Sequence, residues 1–329
     1  MSNNVQNSSL APQFVAAESL RTLTPQMVKL KQIATTDFGD YVSDVGQTVF
    51  TRYANSFTAQ VLDPAVGFTD QDAVSNTVAI TLDRQLQSQV SFNDFNVSTI
   101  SLQMLRDTFL APLTNSVVKG AFDQVLGLAI SANFATAAYS GSKASFSRIS
   151  IANVSTSMTN ANLPFEGRAL LMSPNAYGQL LQDPTVAQYL SYGDREPIVE
   201  GKTNRLHGID LHEYNGFPLG GLPTTGLPAQ QIATNVGLNT AFSEGLAGVA
   251  SCRQGICIAT RVPSSPAGFG GTALGGGEQI VVTDPASGFS YALRTYYTWG
   301  AAKTSMVATW ITGAAVGNPA ALQRIAFTS

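Results

Sequence analysis

Apolar residues recur at steps of three and four over residues 107–133, DTFLAPLTNSVVKGAFDQVLGLAISAN, and this stretch predicts the longest helix of the chain. Phe109, Leu113, Val117, Ala121, Val125, Leu128 and Ala132 form one row, and Leu110, Val118, Phe122, Leu126 and Ile130 form a second beside it. The apolar face is therefore broad, and the rod is a spine for other elements to pack on. Pro112 is expected in the first turns, where a missing N–H costs a helix least. Asp107 is the candidate N-terminal cap or first-turn residue, its charge suiting the positive end of the helix dipole. At 1.5 Å per residue the rod would run roughly 40 Å.

Before the spine, residues 1 to 36 begin polar and then carry a short helical pattern: Phe14, Val15, Leu20, Met27, Leu30 and Ile33. With no core of its own, this segment reads as an arm laid on something else. Between residues 37 and 98 the period falls to two. Thr48–Tyr53 and Asn76–Asp83 alternate as strands do, on either side of the tip LDPAVGFTDQD. With no third strand nearby they predict a long ribbon, marginal in water by itself and expected to lean on a partner. Val90, Phe92, Phe95 and Val97 lead from it into the spine.

After the spine, TAAYSGSKASFSR reads as a domain boundary. ISIANVSTSMTNANLP reads as a helix, and Arg168–Met172 as a short buried strand. Ser173, Pro174 and Asn175 start a helix through Tyr177, Leu180 and Leu181 that Asp183 and Pro184 stop. Leu206–Phe217 predicts a strand pair turned at Asn215–Gly216, and residues 217–240 read as loop. Gly248–Val262 and Gln279–Asp284 are strand-like on either side of the flexible PSSPAGFGGTALGGGE. Phe289–Trp310, rich in aromatic and β-branched residues, predicts long strands. No internal repeat is present.

Composition sharpens this picture. Apolar residues make up 44% of the 329 residues, an ordinary share, but charged residues only 12%, against about 25% in a typical globular chain. A surface so poor in charge suits a chain that hides it against other subunits, or a secreted β-rich protein with a hydroxyl-rich surface. Net charge is −3, and no basic stripe tracks phosphates, which excludes a dedicated nucleic-acid reader. MSNNVQNSSLAPQF lacks the basic and apolar regions of a signal peptide. No uninterrupted apolar run is long enough for a transmembrane helix. Two cysteines make no disulfide framework, so a reducing compartment is expected.

Charge within the ribbon is lopsided. From Asp37 to Asp83 the acids are Asp37, Asp40, Asp44, Asp63, Asp70, Asp72 and Asp83, against the single base Arg52. This is either a solvated acidic loop or one side of a contact with a basic neighbour. Catalytic chemistry is not legible. His207 and His212 suit neither one helix face nor one strand face, and read as surface histidines without a third metal ligand. Cys252 and Cys257 have no nearby histidine and read as small buried thiols. The glycines of residues 268–277 lack the GK[ST] ending of a phosphate loop. There is no GxSxG elbow, and no carboxylate pair can be given an acid–base role from its spacing. The expectation is no enzyme, no cofactor and no metal.

The order of parts resembles the major capsid proteins of tailed bacteriophages, the Hong Kong 97 type of fold, and more narrowly the coat proteins of short-tailed phages. VGQTVFTRY (45–53) with VAITLDRQLQSQVSF (78–92) resembles the two strands of that family's extended loop. LRDTFLAPLTNSVVKGAFDQVLGLAI (105–130) resembles its spine helix. RALLMSPNAYGQLLQD (168–183) and LHGIDLHEYNGFP (206–218) are similar to its axial-domain core, and WITGAAVGNPAALQRI (310–325) to its C-terminal pattern.

The resemblance implies an α+β fold divided as an N-terminal arm (1–44), an extended ribbon with the first peripheral-domain strands (45–98) and a spine helix of the peripheral domain (99–145). An axial domain (146–245), peripheral-domain strands with a Gly-rich loop (246–300) and a return to the axial domain (301–329) complete it. It implies a mechanical function: hexamers and pentamers closing an icosahedral head around double-stranded DNA that is contacted weakly and without sequence preference. Assembly would occur in the host bacterial cytoplasm, without membrane, and end in the virion shell. The implied partners are other copies of the chain, the portal and decoration proteins. Only residues 1–44 precede the ribbon, so a scaffolding protein is expected to be separate. The ribbon has no lysine, which excludes the lysine–asparagine weld of some members. Inter-subunit contacts are expected from Asp63, Asp70, Asp72, Arg52 and Arg84, with Arg195, Lys202 or Arg205 as basic partners. The rival readings are a cellular nanocompartment shell, which would enclose enzyme cargo, and a β-rich binding protein or hydrolase.

Overall fold

The computed structural model describes residues 19–20, 23–36, 48–54, 59–62, 65, 67–68, 75–99, 102–135, 137–184, 205–217, 236–263 and 278–328. The chain opens with a helix over residues 23–33 (α1), then β1 (Ala34–Thr35), β2 (Thr48–Ala54), β3 (Ser75–Thr81) and β4 (Arg84–Asn93). A short helix α2 (Asp94–Thr99) leads into the long α3 (Leu102–Leu128), followed by β5 (Ala137–Gly141) and α4 (Arg148–Asn160). Next come β6 (Ala169–Met172), α5 (Pro174–Leu181), β7 (Arg205–Leu206), β8 (Ile209–Glu213), α6 (Val236–Ser243) and β9 (Leu246–Ser251). The last strands are β10 (Ile256–Arg261), β11 (Glu278–Thr283), β12 (Ser290–Thr298), β13 (Lys303–Val316) and β14 (Leu322–Phe327).

The strands form two mixed sheets of six and a separate two-stranded ribbon, β2–β3. In the first sheet β13 is the hub. It pairs antiparallel with β4, β12 and β10, while β1 joins β10 in parallel and β11 closes the far edge. The second sheet runs β5, β14, β9, β6, β8, β7.

Helix α3 is the predicted spine, with 27 residues. Both apolar rows face inward: Leu110, Leu113, Val117, Val118, Ala121, Phe122, Val125 and Leu126 are all buried. Its position differs from the expectation. The helix begins at Leu102, so Asp107 lies past the first turn and is no cap, and Pro112 falls inside it. The proline is tolerated because it sits on the exposed side with Ser116 and Lys119, away from the packed rows. The helix also ends earlier, at Leu128, whose carbonyl accepts from the Asn133 side chain at 2.9 Å. Ala132 is accordingly exposed beyond it.

One continuous core surrounds α3. Trp310, Ala308, Met306, Tyr291, Leu293, Val282, Ile258 and Phe92 reach it from the first sheet, and Leu171, Leu246, Val249 and Leu322 from the second. Alternation then turns Leu170, Met172, Ala247 and Ala250 to the other side of the second sheet. There they meet Val154 and Met158 of α4 and Tyr177 and Leu180 of α5. A sheet covered on both faces needs apolar residues at every position, and β6, β9 and β14 are buried throughout. Helices α4 and α5 lie where the sequence predicted them. Ser173 caps α5, its hydroxyl accepting from the Ala176 N–H at 3.3 Å.

Other expectations are corrected. Helix α1 is not an arm on a foreign surface within the described residues: Leu23, Met27, Leu30 and Ile33 belong to the core around α3. Thr24 donates to the buried Asp284 at 2.9 Å and ties α1 to the β11–β12 turn. The segment TAAYSGSKASFSR, read as a boundary, contributes β5, parallel to β14. Its Tyr139 packs edge-on against Phe146 and Phe327, which holds it in the fold. The hairpin between β7 and β8 turns at His207 and Gly208, not at Asn215–Gly216, because these two adopt the positive φ of 49° and 79° that a tight turn requires. Residues 236–240, read as loop, start α6, whose Leu238, Ala241 and Phe242 complete the core. Gly248–Val262 is two strands in two different sheets, β9 and β10.

The joint between α3 and the second sheet carries charge. Arg324 of β14 is buried; it donates to the Phe134 carbonyl at 2.8 Å and pairs with Glu244 at 2.6 Å. Glu244 also accepts from the Ser131 N–H at 2.9 Å. Arg324→Ala is expected to lower unfolding free energy by about 3 kcal/mol in urea titration, since it strands the carboxylate beside a buried backbone carbonyl. At the same joint the ring of Tyr214 stacks on Phe122 of α3 at 4.4 Å. Its hydroxyl pKa is raised, first by burial and then by the charge of Asp123. Burial pushes the Asp123 carboxyl up to about 6, with Lys119 pulling it back. Between the unfolded value near 4 and about 6, the folded chain holds more protons than the unfolded chain, so stability falls as pH rises. Asp123→Asn is expected to flatten this slope and to make the protein more stable than the unsubstituted chain at pH 7, by urea titration across pH 4 to 7.

Candidate functional site

The ribbon is the feature whose chemistry is least consumed by the fold. Strands β2 and β3 pair antiparallel from Thr48 opposite Thr81 to Ala54 opposite Ser75. Residues directly opposite share a face. Val49 with Ile80 and Thr51 with Val78 face inward, where Val49, Val78, Ile80 and Leu82 pack against Cys257, Ala259, Ile311 and Ala315 of the first sheet. The ribbon root therefore leans on its own body. The expectation that it needs a foreign support is corrected for that root: β10 and β13 supply it, because they turn alternate apolar residues away from α3.

The opposite face is open. Phe50 with Ala79 and Arg52 with Thr77 are all exposed, Phe50 by 62%. Beyond the strands, Val61 is 97% and Phe68 92% exposed. Phe95, on α2, is also exposed. Large apolar groups held in water on a projecting hairpin mark an interaction surface.

The ribbon continues into the body without a loop. Only Leu82 and Asp83 separate β3 from β4, which pairs with β13 from Arg84 opposite Thr312 to Asn93 opposite Lys303. The resemblance made residues 78–92 one strand of the ribbon; the structure divides them between β3 and β4 in different sheets, and from the residues alone this third strand was not expected. Its signal was present, since Leu86, Val90 and Phe92 turn inward and Gln85, Gln87, Gln89, Ser91 and Asn93 outward. Ser88 at an inward position blurred the period. Where the chain passes from β3 to β4, Gly313 of β13 meets its backbone. A Cβ there would lie 2.1 Å from the Thr81 carbonyl oxygen, so only glycine admits this approach.

Of the expected contact residues, Arg52 is exposed on the open face, and Arg84 is half-buried with its guanidinium 4.0 Å from Asp83. Arg205, at the second sheet's edge, is 3.6 Å from Asp210 of its own chain. Asp63, Asp70, Asp72, Arg195 and Lys202 lie outside the described residues, as does the glycine-rich stretch 264–277.

Cys252 and Cys257 are free and buried, as expected. Burial pushes the Cys257 thiol up to about 11; it also raises Cys252, against the pull of Arg168 and Arg253. His207 is exposed, but His212 is not the surface residue expected. Its Nε2 is buried, and burial, followed by the Lys29 charge, holds its pKa down against the pull of Asp210. Position two residues before Tyr214 on a covered strand explains this. A cleft of about 550 Å3 includes Ser155, Thr156, Thr159 and His207 in its lining, but Ser155 donates to the His207 backbone carbonyl at 3.1 Å. Among the described residues no group of three or more metal-ligating side chains gathers, and no helix is long and apolar enough to cross a membrane.

No family model matches the sequence, and no curated protein matches it. Solved structures do match its fold. The capsid structure of the cyanophage P-SCSP1u is 15% identical, covering 90% of this chain and 86% of that one, with a TM-score of 0.55. The mature capsid of bacteriophage PhiM1 is 12% identical over 88% and 84%, with a TM-score of 0.54. A structure of Mycobacterium phage Che8 is 13% identical over 89% and 88%, with a TM-score of 0.53. The chain has the α+β fold of phage capsid proteins, the Hong Kong 97 type that the sequence resembled.

Gly313→Ala is expected to push the β3–β4 passage off the first sheet. Limited proteolysis should cut the ribbon faster than in the unsubstituted chain, and the melting temperature should fall by several degrees.

Proposed function

We propose that the chain is a major capsid protein whose copies form the hexamers and pentamers of an icosahedral tailed-phage head around double-stranded DNA. The observation that carries this reading is the two-sided ribbon. One face is used on its own body, while the other face and the tip hold Phe50, Val61 and Phe68 exposed, on a fold shared with phage capsids. Such a hairpin has apolar surface to bury and nothing in its own described chain to bury it on. A second copy is the partner that every copy has.

In this reading the first sheet and α3 form the peripheral domain, and the second sheet with α4 and α5 the axial domain around each capsomer axis, so β13 is peripheral and β9 and β5 are axial, against the bounds expected from the sequence. The contacts are heterologous, and the arrangement closes by symmetry. The role is mechanical and not enzymatic. The acidic ribbon, with Asp63, Asp70 and Asp72, faces basic groups of an adjacent copy, for which Arg195, Lys202 and Arg205 are the candidates; Arg52 and Arg84 are further contact candidates, Arg84 already lying near Asp83 of its own chain. Net charge near zero suits a lining that does not grip the genome tightly. A separate scaffolding protein, the portal and decoration proteins complete the partners, in a shell built in the bacterial cytoplasm.

The double variant Asp70→Lys, Asp72→Lys tests the ribbon's part. It is expected to remain folded, with an unchanged circular-dichroism melt, and to give no shells in electron micrographs. Shells at the unsubstituted yield would refute the ribbon's role.

A further inference from the structure

Helix α4 divides its residues between two duties. Ile151, Val154 and Met158 fill the core that α4 and α5 share with the second sheet. Ala152, Thr156, Thr159 and Asn160, at helical spacing on another face, line the cleft of about 550 Å3 whose far wall is Phe165 with the His207–Gly208 turn. That volume falls within the roughly 300–1,000 Å3 of small-ligand sites. Phe165 is 56% exposed, yet its ring is held from two directions. The guanidinium of the buried Arg168 lies 5.0 Å from the ring centroid. The tip of the ring presses on Gly208, where a Cβ would lie 2.2 Å from Cζ of Phe165. Glycine alone admits that approach at a positive φ. An aromatic ring fixed in this way but left in water is a platform ordered before anything lands on it.

The rest of the lining is neutral and forms hydrogen bonds. Thr156 donates to the Ala152 carbonyl and Thr159 to the Ser155 carbonyl, each at 3.0 Å, so both hydroxyls keep only acceptor capacity. The Asn160 amide and the His207 ring are exposed, make no hydrogen bond with the described residues, and supply donors as well. Among the described residues no aspartate, glutamate, lysine or arginine lines the cleft. Arg168, beside the ring, already donates to the carbonyls of Ser155, Leu163 and Pro164 and to the Thr159 hydroxyl. A phosphate or carboxylate would therefore find no unengaged cation here. A wholly apolar ligand would strand the amide and the imidazole without partners. A neutral polyhydroxylated ring meets both conditions, with a C–H face for Phe165 and hydroxyls for Asn160, His207 and the threonines.

We propose that the cleft between α4 and the β7–β8 turn binds a neutral saccharide, with one pyranose ring stacked on Phe165. The site is complete within one chain, so the proposal stands or falls apart from the self-assembly reading. A shell of many copies would repeat the site over its surface and add avidity to a weak single contact.

The test is isothermal titration calorimetry of the purified full-length protein. Maltotriose, cellotriose and triacetylchitotriose are titrated separately, with inorganic phosphate and decanoate as anionic and apolar controls. At least one trisaccharide is expected to bind with a dissociation constant on the order of 1 mM, and neither control is expected to bind. Phe165→Ala and Asn160→Ala should each weaken that binding by roughly tenfold. Thr156→Arg fills the cleft from an exposed helix position and should abolish binding with an unchanged circular-dichroism melt. Ile149→Ser, on the same helix but outside the cleft, should leave it unchanged. Absence of binding by all three trisaccharides at about 20 mM overturns the proposal. So does tighter binding of phosphate or decanoate, or saccharide binding that survives both Phe165→Ala and Thr156→Arg.

Discussion

The burial of α3 on both sides is the constraint from which the rest of the structure follows. Its apolar residues share one core with the first sheet, with α6 and with the inner face of the second sheet. A helix enclosed in this way cannot shift without exposing one sheet or the other, so it fixes their relation. Each sheet then has an outer face with its own use. The second is covered by α4 and α5, and the first carries the ribbon root through Cys257, Ala259, Ile311 and Ala315. The hairpin thus projects from a rigid base, which a reaching element requires.

Polar groups at the joints support this division. Arg324, Glu244 and Ser131 lock the end of α3 to β14 and to the end of α6. Arg168 is buried, has no carboxylate partner among the described residues, and is satisfied by neutral acceptors near the end of α4: the carbonyls of Ser155, Leu163 and Pro164, and the Thr159 hydroxyl. The partial negative charge at a helix C-terminus suits a cation there. Asp284 works in the opposite sense: burial raises its carboxyl pKa, but donors from Ser287, Thr24 and Ala286 more than offset this and hold it low.

The elements legible in the sequence were those whose period survives packing on one face. Both rows of α3, the ribbon strands, α4 and α5 are of this kind. Elements failed to show where local chemistry was overridden by a distant partner. Strand β4 was seen only through the family resemblance, since Ser88 interrupts its apolar alternation until β13 is beside it, and β5 reads as a small-residue linker until β14 pairs with it. The limits of α3 were misplaced because Pro112 suggests a beginning, whereas its exposed position lets the helix run through it. At the candidate site, the acidic bias of the ribbon could be read from composition. The exposed Phe50, Phe68 and Phe95 could not, because an apolar residue at alternating spacing looks the same whether it faces the core or the solvent.

What the molecule is built to do comes down to whether its open hairpin binds a copy of itself. Sedimentation velocity of the purified full-length protein across a range of concentrations measures this most directly. The account predicts that a slow subunit species gives way to a fast boundary of closed particles of uniform size. A single subunit-sized boundary at every concentration would contradict it.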